Sequence, residues 1–315
     1  MSQHVDTFPE SIIKEMQKHY TNKLTTEPPG AIFRAKTEYA VITAYKSGKV
    51  LFQGKSPEVE VNKWQSNNTN TTKTRKVMKS ENKKTSIHSF SPPRNLFISS
   101  HIGTDEAGTG DYFGPITVVA AYVQEDQIET IKSIGVRDSK NITDQQIRKT
   151  AQKLMDLKIP YVLHVLPNEK YNQLQKNGWT QGKMKTMMHH HAIKNLTKKI
   201  GNSPLSGILI DQFCQPNVFK KHLATENEQL TMDTFFMTKA ESYSIAVAAA
   251  SIIARTKFLT EMDRLSNEIG TTIPKGASSK VDRVIADIIR RHGESALTSC
   301  AKVHFANTKK AYSFL

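Results

Sequence analysis

The chain has 315 residues, 37% hydrophobic and 23% charged, room for one large domain or two smaller ones in a globular protein. It carries 44 Lys and Arg against 29 Asp and Glu, a net charge of +15, which favours a polyanionic partner through phosphate neutralisation and counterion release. No apolar stretch approaches the roughly 20 residues of a membrane span, residues 1–6 lack a signal-peptide pattern, and Cys214 and Cys300 read as free thiols in a reducing cytoplasm.

In chain order, Ile12, Ile13, Met16 and Tyr20 recur at helical spacing and predict an amphipathic helix over 9–21. Pro28-Pro29-Gly30 breaks the chain. Residues 31–36 and 40–45 read as strands, Ser47-Gly48 turns into a third at 49–53, and a short helix runs from Pro57 to Trp64. Residues 1–64 thus form a small α+β domain. Arg34, Lys36, Lys46 and Lys49 lie on or beside its strands, where they either follow a phosphate backbone or make a solvated outer face. Phe33 and Tyr45 either stack on bases or pack the core. From 65 to 94 the composition changes: the stretch 67–76 has almost no large apolar side chain, and Lys79, Lys83 and Lys84 continue its positive charge. This segment is predicted as a basic flexible linker that cannot repay the entropy of folding.

Beyond Arg94 strands and helices alternate. The apolar run 96–102 reads as a strand with Asp105 and Glu106 at or near its C-terminal end, followed by a turn carrying Gly108, Gly110 and Gly114. Residues 116–123, rich in β-branched side chains, should pair with it. A helical stretch begins near Thr143, an N-cap candidate. Residues 161–166 are a strand and 183–199 a helix. A strand over 205–210 ends at Asp211, and a short strand over 234–237 leads into Lys239-Ala240-Glu241. A long Ala-rich helix then runs from Ser242 to about Leu265. Residues 95–315 are therefore predicted as a mixed α/β domain with helices on a central sheet.

Asp105, Glu106, Asp211 and Glu241 all stand at strand ends or helix starts, where loops open a sheet to solvent. Four carboxylates gathered there repel one another unless cations neutralise them. Oxygen donors suit Mg²⁺ or Mn²⁺, and two such ions can activate water and stabilise the departing oxygen of a phosphodiester. His189-His190-His191 is a poor metal tract, because consecutive helical residues point in different directions.

These segments resemble a known family. Residues 103–119 look like the first motif of the type 2 ribonucleases H, and Asp111-Tyr112-Phe113-Gly114-Pro115 points to their HIII branch. Similar matches occur at 135–140, 178–185, 208–213 and 238–242. Residues 28–36 resemble the start of that branch's N-terminal domain, which is similar to half of the TATA-box-binding protein. The resemblance implies a ribonuclease H-like mixed sheet flanked by helices, preceded by a small α+β TATA-box-binding-protein-like domain for substrate binding. It implies endonucleolytic cleavage of the RNA strand of RNA–DNA hybrids, leaving 5′-phosphate and 3′-hydroxyl ends. It carries metal ligation and catalysis to Asp105, Glu106, Asp211 and Glu241, with two Mg²⁺ or Mn²⁺ ions per site. Thr109 stands where the motif usually has Lys or Arg, and Glu241 where Asp is common. Gly108, Thr109, Gly110, Ser139, Lys140, Lys183 and Lys239 are the expected substrate contacts. Lys302-Val303-His304-Phe305 lies in a family-like tail to which no chemistry is assigned. The expected protein is a cytoplasmic monomer that does not engage membranes. The competing functions are HII-like incision at single ribonucleotides in duplex DNA and non-catalytic nucleic-acid binding.

Overall fold

A computed structural model describes residues 2–65, 89–136 and 142–315. The chain divides into two units, Met1–Asn82 and Lys83–Leu315.

The first unit runs β1 (Ser2–Thr7), α1 (Glu10–His19), β2 (Ala31–Lys36), β3 (Ala40–Tyr45), β4 (Lys49–Gly54) and α2 (Pro57–Gln65). Its antiparallel sheet has the order β1-β4-β3-β2. β1 is not predicted from sequence because residues 2–7 carry no apolar alternation. Pairing with β4, which sets Val5 opposite Leu51, makes them a strand. Ile13 and Met16 of α1 and Val61 and Trp64 of α2 pack on Phe33, Ile42 and Phe52. Phe33 is fully buried and serves the core rather than base stacking, whereas Arg34 and Lys36 are exposed on the strand's other side. The buried Glu60 accepts hydrogen bonds from Tyr20 Oη (2.7 Å) and Lys63 Nζ (2.9 Å), and Trp64 Nε1 donates to Tyr20 Oη (2.9 Å). Burial without these partners would cost the carboxylate several kcal/mol.

The second unit begins with a 3-10 turn, Arg94–Ile98, and then β5 (His101–Ala107) and β6 (Ile116–Val123). α3 (Ile128–Ser133), α4 (Asp144–Asp156), β7 (Tyr161–Leu166), α5 (Asn168–Lys176), α6 (Gln181–Ile200), β8 (Ile208–Asp211) and α7 (Pro216–Ala224) follow. β9 (Thr234–Met237), α8 (Ile245–Ile269), α9 (Ser279–His292), α10 (Leu297–Cys300) and α11 (Ala306–Ala311) complete it. The mixed sheet has the order β7-β6-β5-β8-β9, with β5 antiparallel to β6 and parallel to β8. β6 is buried along its whole length because both faces are covered. Val119, Ala121 and Val123 join the core under α8, while Val118, Ala120 and Tyr122 join the core under α6. Most of the predicted linker, 66–88, lies outside the described residues. Its described end packs, since Phe90 lies edge-on to Phe236 at 6.0 Å.

The strand expected over 96–102 is corrected. Residues 94–98 form the 3-10 turn after Pro92-Pro93, and β5 starts at His101 and contains both acids, Asp105 facing Val119 and Glu106 facing Val118. Pairing with β6 and β8 defines the strand, not the local apolar run. α8 is the long Ala-rich helix, capped by Ser244 Oγ, which accepts from Val247 N (3.2 Å), and ended by Gly270. It crosses β5 very closely: a Cβ on Gly103 would stand 2.2 Å from Val247 N. Among the described residues no helix is long and apolar enough to cross a membrane.

Candidate active site

A cleft of about 340 Å³ lies along the C-terminal half of β5, and Asp105, Glu106 and Asp211 line it together. Each acid comes from a different structural cause. Asp105 and Glu106 are successive strand residues whose side chains leave opposite faces. Asp211 ends the parallel neighbour β8, one register step beyond the Thr104–Ile210 pair. Its Oδ1 accepts from Ala240 N (2.9 Å), which ties the strand end to the turn carrying Glu241. Glu241 is buried at 3% exposure beside that amide and is not among the residues lining the cleft.

Asp105 is 7% exposed. Burial, followed by the charges of Glu106 and Asp211, pushes its carboxyl well above the usual carboxylate range; a hydrogen bond from Ser251 and one from the Glu106 amide act in the opposite direction. Glu106 behaves differently. Burial alone would raise it, but hydrogen bonds and charge from His189 and Lys185 bring it down to about 2. Lys185 Nζ donates to Glu106 Oε1 (2.8 Å), and His189 Nε2 lies 3.0 Å from Oε2. The other ring nitrogen of His189 lies 2.8 Å from Thr104 Oγ1, which fixes the ring between the two strand residues. The Lys185 ammonium also sits 4.0 Å from the centre of the Phe213 ring.

The donor set fits a hard divalent cation. Three carboxylates share a buried cleft, and the strain of that arrangement falls on Asp105, which a cation would relieve. Among the described residues no three His, Cys, Asp or Glu side chains already surround one ion position. An open wall of this kind suits Mg²⁺ or Mn²⁺ better than zinc, since Mg²⁺ is held by one or two carboxylates with water and substrate phosphate.

The glycine-rich turn is built from inside. Gly108 has φ +88°, and a Cβ there would meet Pro115 O at 2.2 Å. Thr109 O accepts from Gln181 Nε2 (3.1 Å), while Thr109 Oγ1 is closed off from solvent; Gly110 is the exposed member of the three. Lys302 Nζ donates to Asp111 O (2.8 Å) and Gly114 O (2.5 Å), and Asn168 Nδ2 also donates to Gly114 O (2.9 Å). This gives the family-like tail a structural role.

Among the other expected substrate contacts, Ser139 and Lys140 lie outside the described residues. Lys183 pairs with Glu226 (2.5 Å) and lies 4.3 Å over the Trp179 ring, away from the cleft lining. Lys239 is exposed, with a left-handed backbone (φ +58°) just before Glu241. Lys185, His189, Phe213 and Ser251 were missed. The i, i+4 spacing of Lys185 and His189, which puts both on one face of α6, was the available signal. Ser251 had no signal of its own, because the crossing of α8 over β5 brings it to Asp105.

A family model described as Ribonuclease HII matches residues 102–308, and one described as Domain of unknown function (DUF3378) matches residues 3–77. Ribonuclease HIII of Oceanobacillus iheyensis is 54% identical over 318 residues, covering 100% of each chain. Ribonuclease HIII of Bacillus licheniformis is 48% identical over 312 residues, covering 99% of this chain and 98% of its own. The crystal structure of Bst-RNase HIII in complex with Mn²⁺ is similar with a TM-score of 0.68 at 40% identity, over 99% of each chain.

Proposed function

The chain belongs to the ribonuclease HIII family, and on that premise we propose that it is an endonuclease that hydrolyses the RNA strand of RNA–DNA hybrids. Asp105, Glu106, Asp211 and Glu241 would hold two divalent ions, Mg²⁺ or Mn²⁺. The observation that carries this reading is the buried Asp105, destabilised as an anion by Glu106 and Asp211 in one cleft. Such a cluster is costly in a protein that only binds phosphates, and useful in one that gathers cations onto them. Bound there, such ions would supply Lewis acidity and lower the pKa of water, the chemistry that a hydrolysis leaving 5′-phosphate and 3′-hydroxyl ends requires.

The chain's own residues prepare that chemistry. Lys185 and His189 hold Glu106 ionised and in one rotamer. Ser251 orients Asp105, and the Ala240 amide orients Asp211. The glycine-rich turn offers Gly108 to Gly110 as a surface where a sugar–phosphate backbone can approach closely. Residues 1–64 act as a substrate-binding domain, 65–94 as a linker and 95–315 as the catalytic domain. The enzyme works as a cytoplasmic monomer.

The test is Asp105→Asn. Hydrolysis of a long hybrid should be abolished with either metal while hybrid binding persists; undiminished cleavage would sink the mechanism. Running a duplex with a single embedded ribonucleotide in parallel separates the competing activity, and preference for that duplex would overturn the long hybrid as the substrate.

A further inference from the structure

The acidic wall of the cleft has no cation in its own segment: residues 103–123 contain neither Lys nor Arg. Two cations nevertheless line the same cleft, Arg255 from α8 and Lys275 from the loop before α9. Both are ion-paired to one anion. Arg255 Nη2 donates to Asp144 Oδ1 (3.0 Å), and Lys275 pairs with Asp144 Oδ2. Burial alone would raise Asp144, but the two cations hold its carboxyl below the ordinary range. The group of three carries a net charge of +1, and it stays reachable, with Arg255 26% and Lys275 46% exposed.

Its position relative to the acids is built in twice. Arg255 follows Ser251 by four residues on α8, so it lies on the same face, about 6 Å along the axis from the hydroxyl that holds Asp105. The loop is clamped to the glycine-rich turn from the other side. Gly276 N donates to Asp111 Oδ1 (2.6 Å), and Tyr112 N donates to Gly276 O (2.9 Å). Asp144 is the first residue of α4, whose Thr143–Gln146 capping box fixes the helix start. Three separate segments thus converge to set a guanidinium and an ammonium one step beyond the acids.

We propose that Arg255 and Lys275 form a seat for a backbone phosphate of the bound duplex next to the one being cleaved. The seat rests on the hybrid-cleaving function proposed above. A guanidinium fork beside an ammonium matches phosphate oxygens and carries no base information. Asp144 pairs with both side chains in the free enzyme and holds them beside each other. The seat also places positive charge along the duplex where the acidic wall offers none, so the scissile phosphate is drawn to the ions in one register.

The full chain tests this with a labelled RNA–DNA hybrid. Affinity is measured against salt in EDTA, and KM and kcat with Mg²⁺. Arg255→Gln and Lys275→Gln should each raise KM several-fold with kcat within about twofold of wild type. Each should also flatten the slope of log Kd against log salt by about 0.9, the loss of one phosphate contact. Arg255→Lys keeps the charge and should recover most of the slope. Asp144→Asn keeps both cations and removes their anion, so it should steepen the slope. Unchanged KM and slope in both Gln variants, with wild type cleaving the hybrid normally, would overturn the seat. So would a loss in Arg255→Gln that tracks a lowered melting temperature and is not recovered by Arg255→Lys. Failure of the wild type to cleave hybrid at all would instead reject the function on which the seat rests.

Discussion

Lys302 is fully buried, with its ammonium hydrogen-bonded to the carbonyls of Asp111 and Gly114 under the glycine-rich turn. Burial lowers it to about 7 from an ordinary 10.5, with the Asp111 charge acting the other way. Between those values the unfolded chain binds a proton that the folded chain has released, so the free energy of unfolding rises with pH. The gain is complete above the unfolded value and lost as pH falls through about 7. Denaturant melts of wild type and Lys302→Met at pH 7 and pH 10 should therefore diverge, with wild type gaining relative to the variant at the higher pH. A pH-independent difference would contradict this. At the same scale, the residue types of the site were legible in part. Asp105 and Glu106 stand out as adjacent acids within a glycine-rich run, whereas Asp211 alone reads nearly as well as a helix or turn cap. Lys185 and His189 did not stand out, because each alone looks like a surface lysine or a core histidine until Glu106 is placed between them.

β5 and α8 are the pair of elements on which the site depends. Gly103 is required where they cross, since any Cβ would overlap Val247 N at 2.2 Å and Ala246 C at 2.3 Å. Both contacts are backbone, so neither can rotate away. Gly103→Ala should cost about 3 kcal/mol by forcing the helix outward, which lowers the melting temperature on the order of 10 °C for a domain of this size. Differential scanning calorimetry checks it, and a shift under about 2 °C would mean that the crossing is softer than its geometry indicates. Elements with strong local signals were legible with small errors at their ends. β7 spans the expected residues, and Thr143 caps α4 as expected. β1 and the true start of β5 were not legible, because both are defined by ladder partners far away in sequence. α5 and α7 were also not identified, since their nine-residue patterns lie between stronger signals; α9 was not identified either, although its 14 residues carry a clear amphipathic pattern.

For the molecule as a whole, the +15 charge is unevenly distributed with respect to the chemistry. The catalytic cleft is walled by acids and lined by only two cations, Arg255 and Lys275, so most of the excess positive charge lies elsewhere. The first unit exposes Arg34 and Lys36 on the side of β2 away from its helices, beside Thr25, Thr26 and Val41 in a shallow depression. Under the proposal that residues 1–64 bind substrate, their deletion should raise KM for hybrid by at least ~10-fold, about 1.4 kcal/mol of binding, with a much smaller change in kcat. Steady-state kinetics on the truncated and full-length chains decide it. An unchanged KM would reject the domain as a binding platform.

By itself the sequence determined the reaction class. Local patterns report which residues are acidic, where most strands and helices form, and which charge a partner must bear; these pointed to metal and phosphate, and the resemblance to the type 2 ribonucleases H supplied the reaction. Only the tertiary structure decided which side chains serve those acids. Ser251, Lys185 and His189 reach Asp105 and Glu106 from helices on opposite faces of one sheet, and Arg255 and Lys275 converge through Asp144. The physical reason is range. Periodicity and composition act over one or two turns of chain, whereas charge, burial and hydrogen bonding act through space between segments that only the packed core brings together.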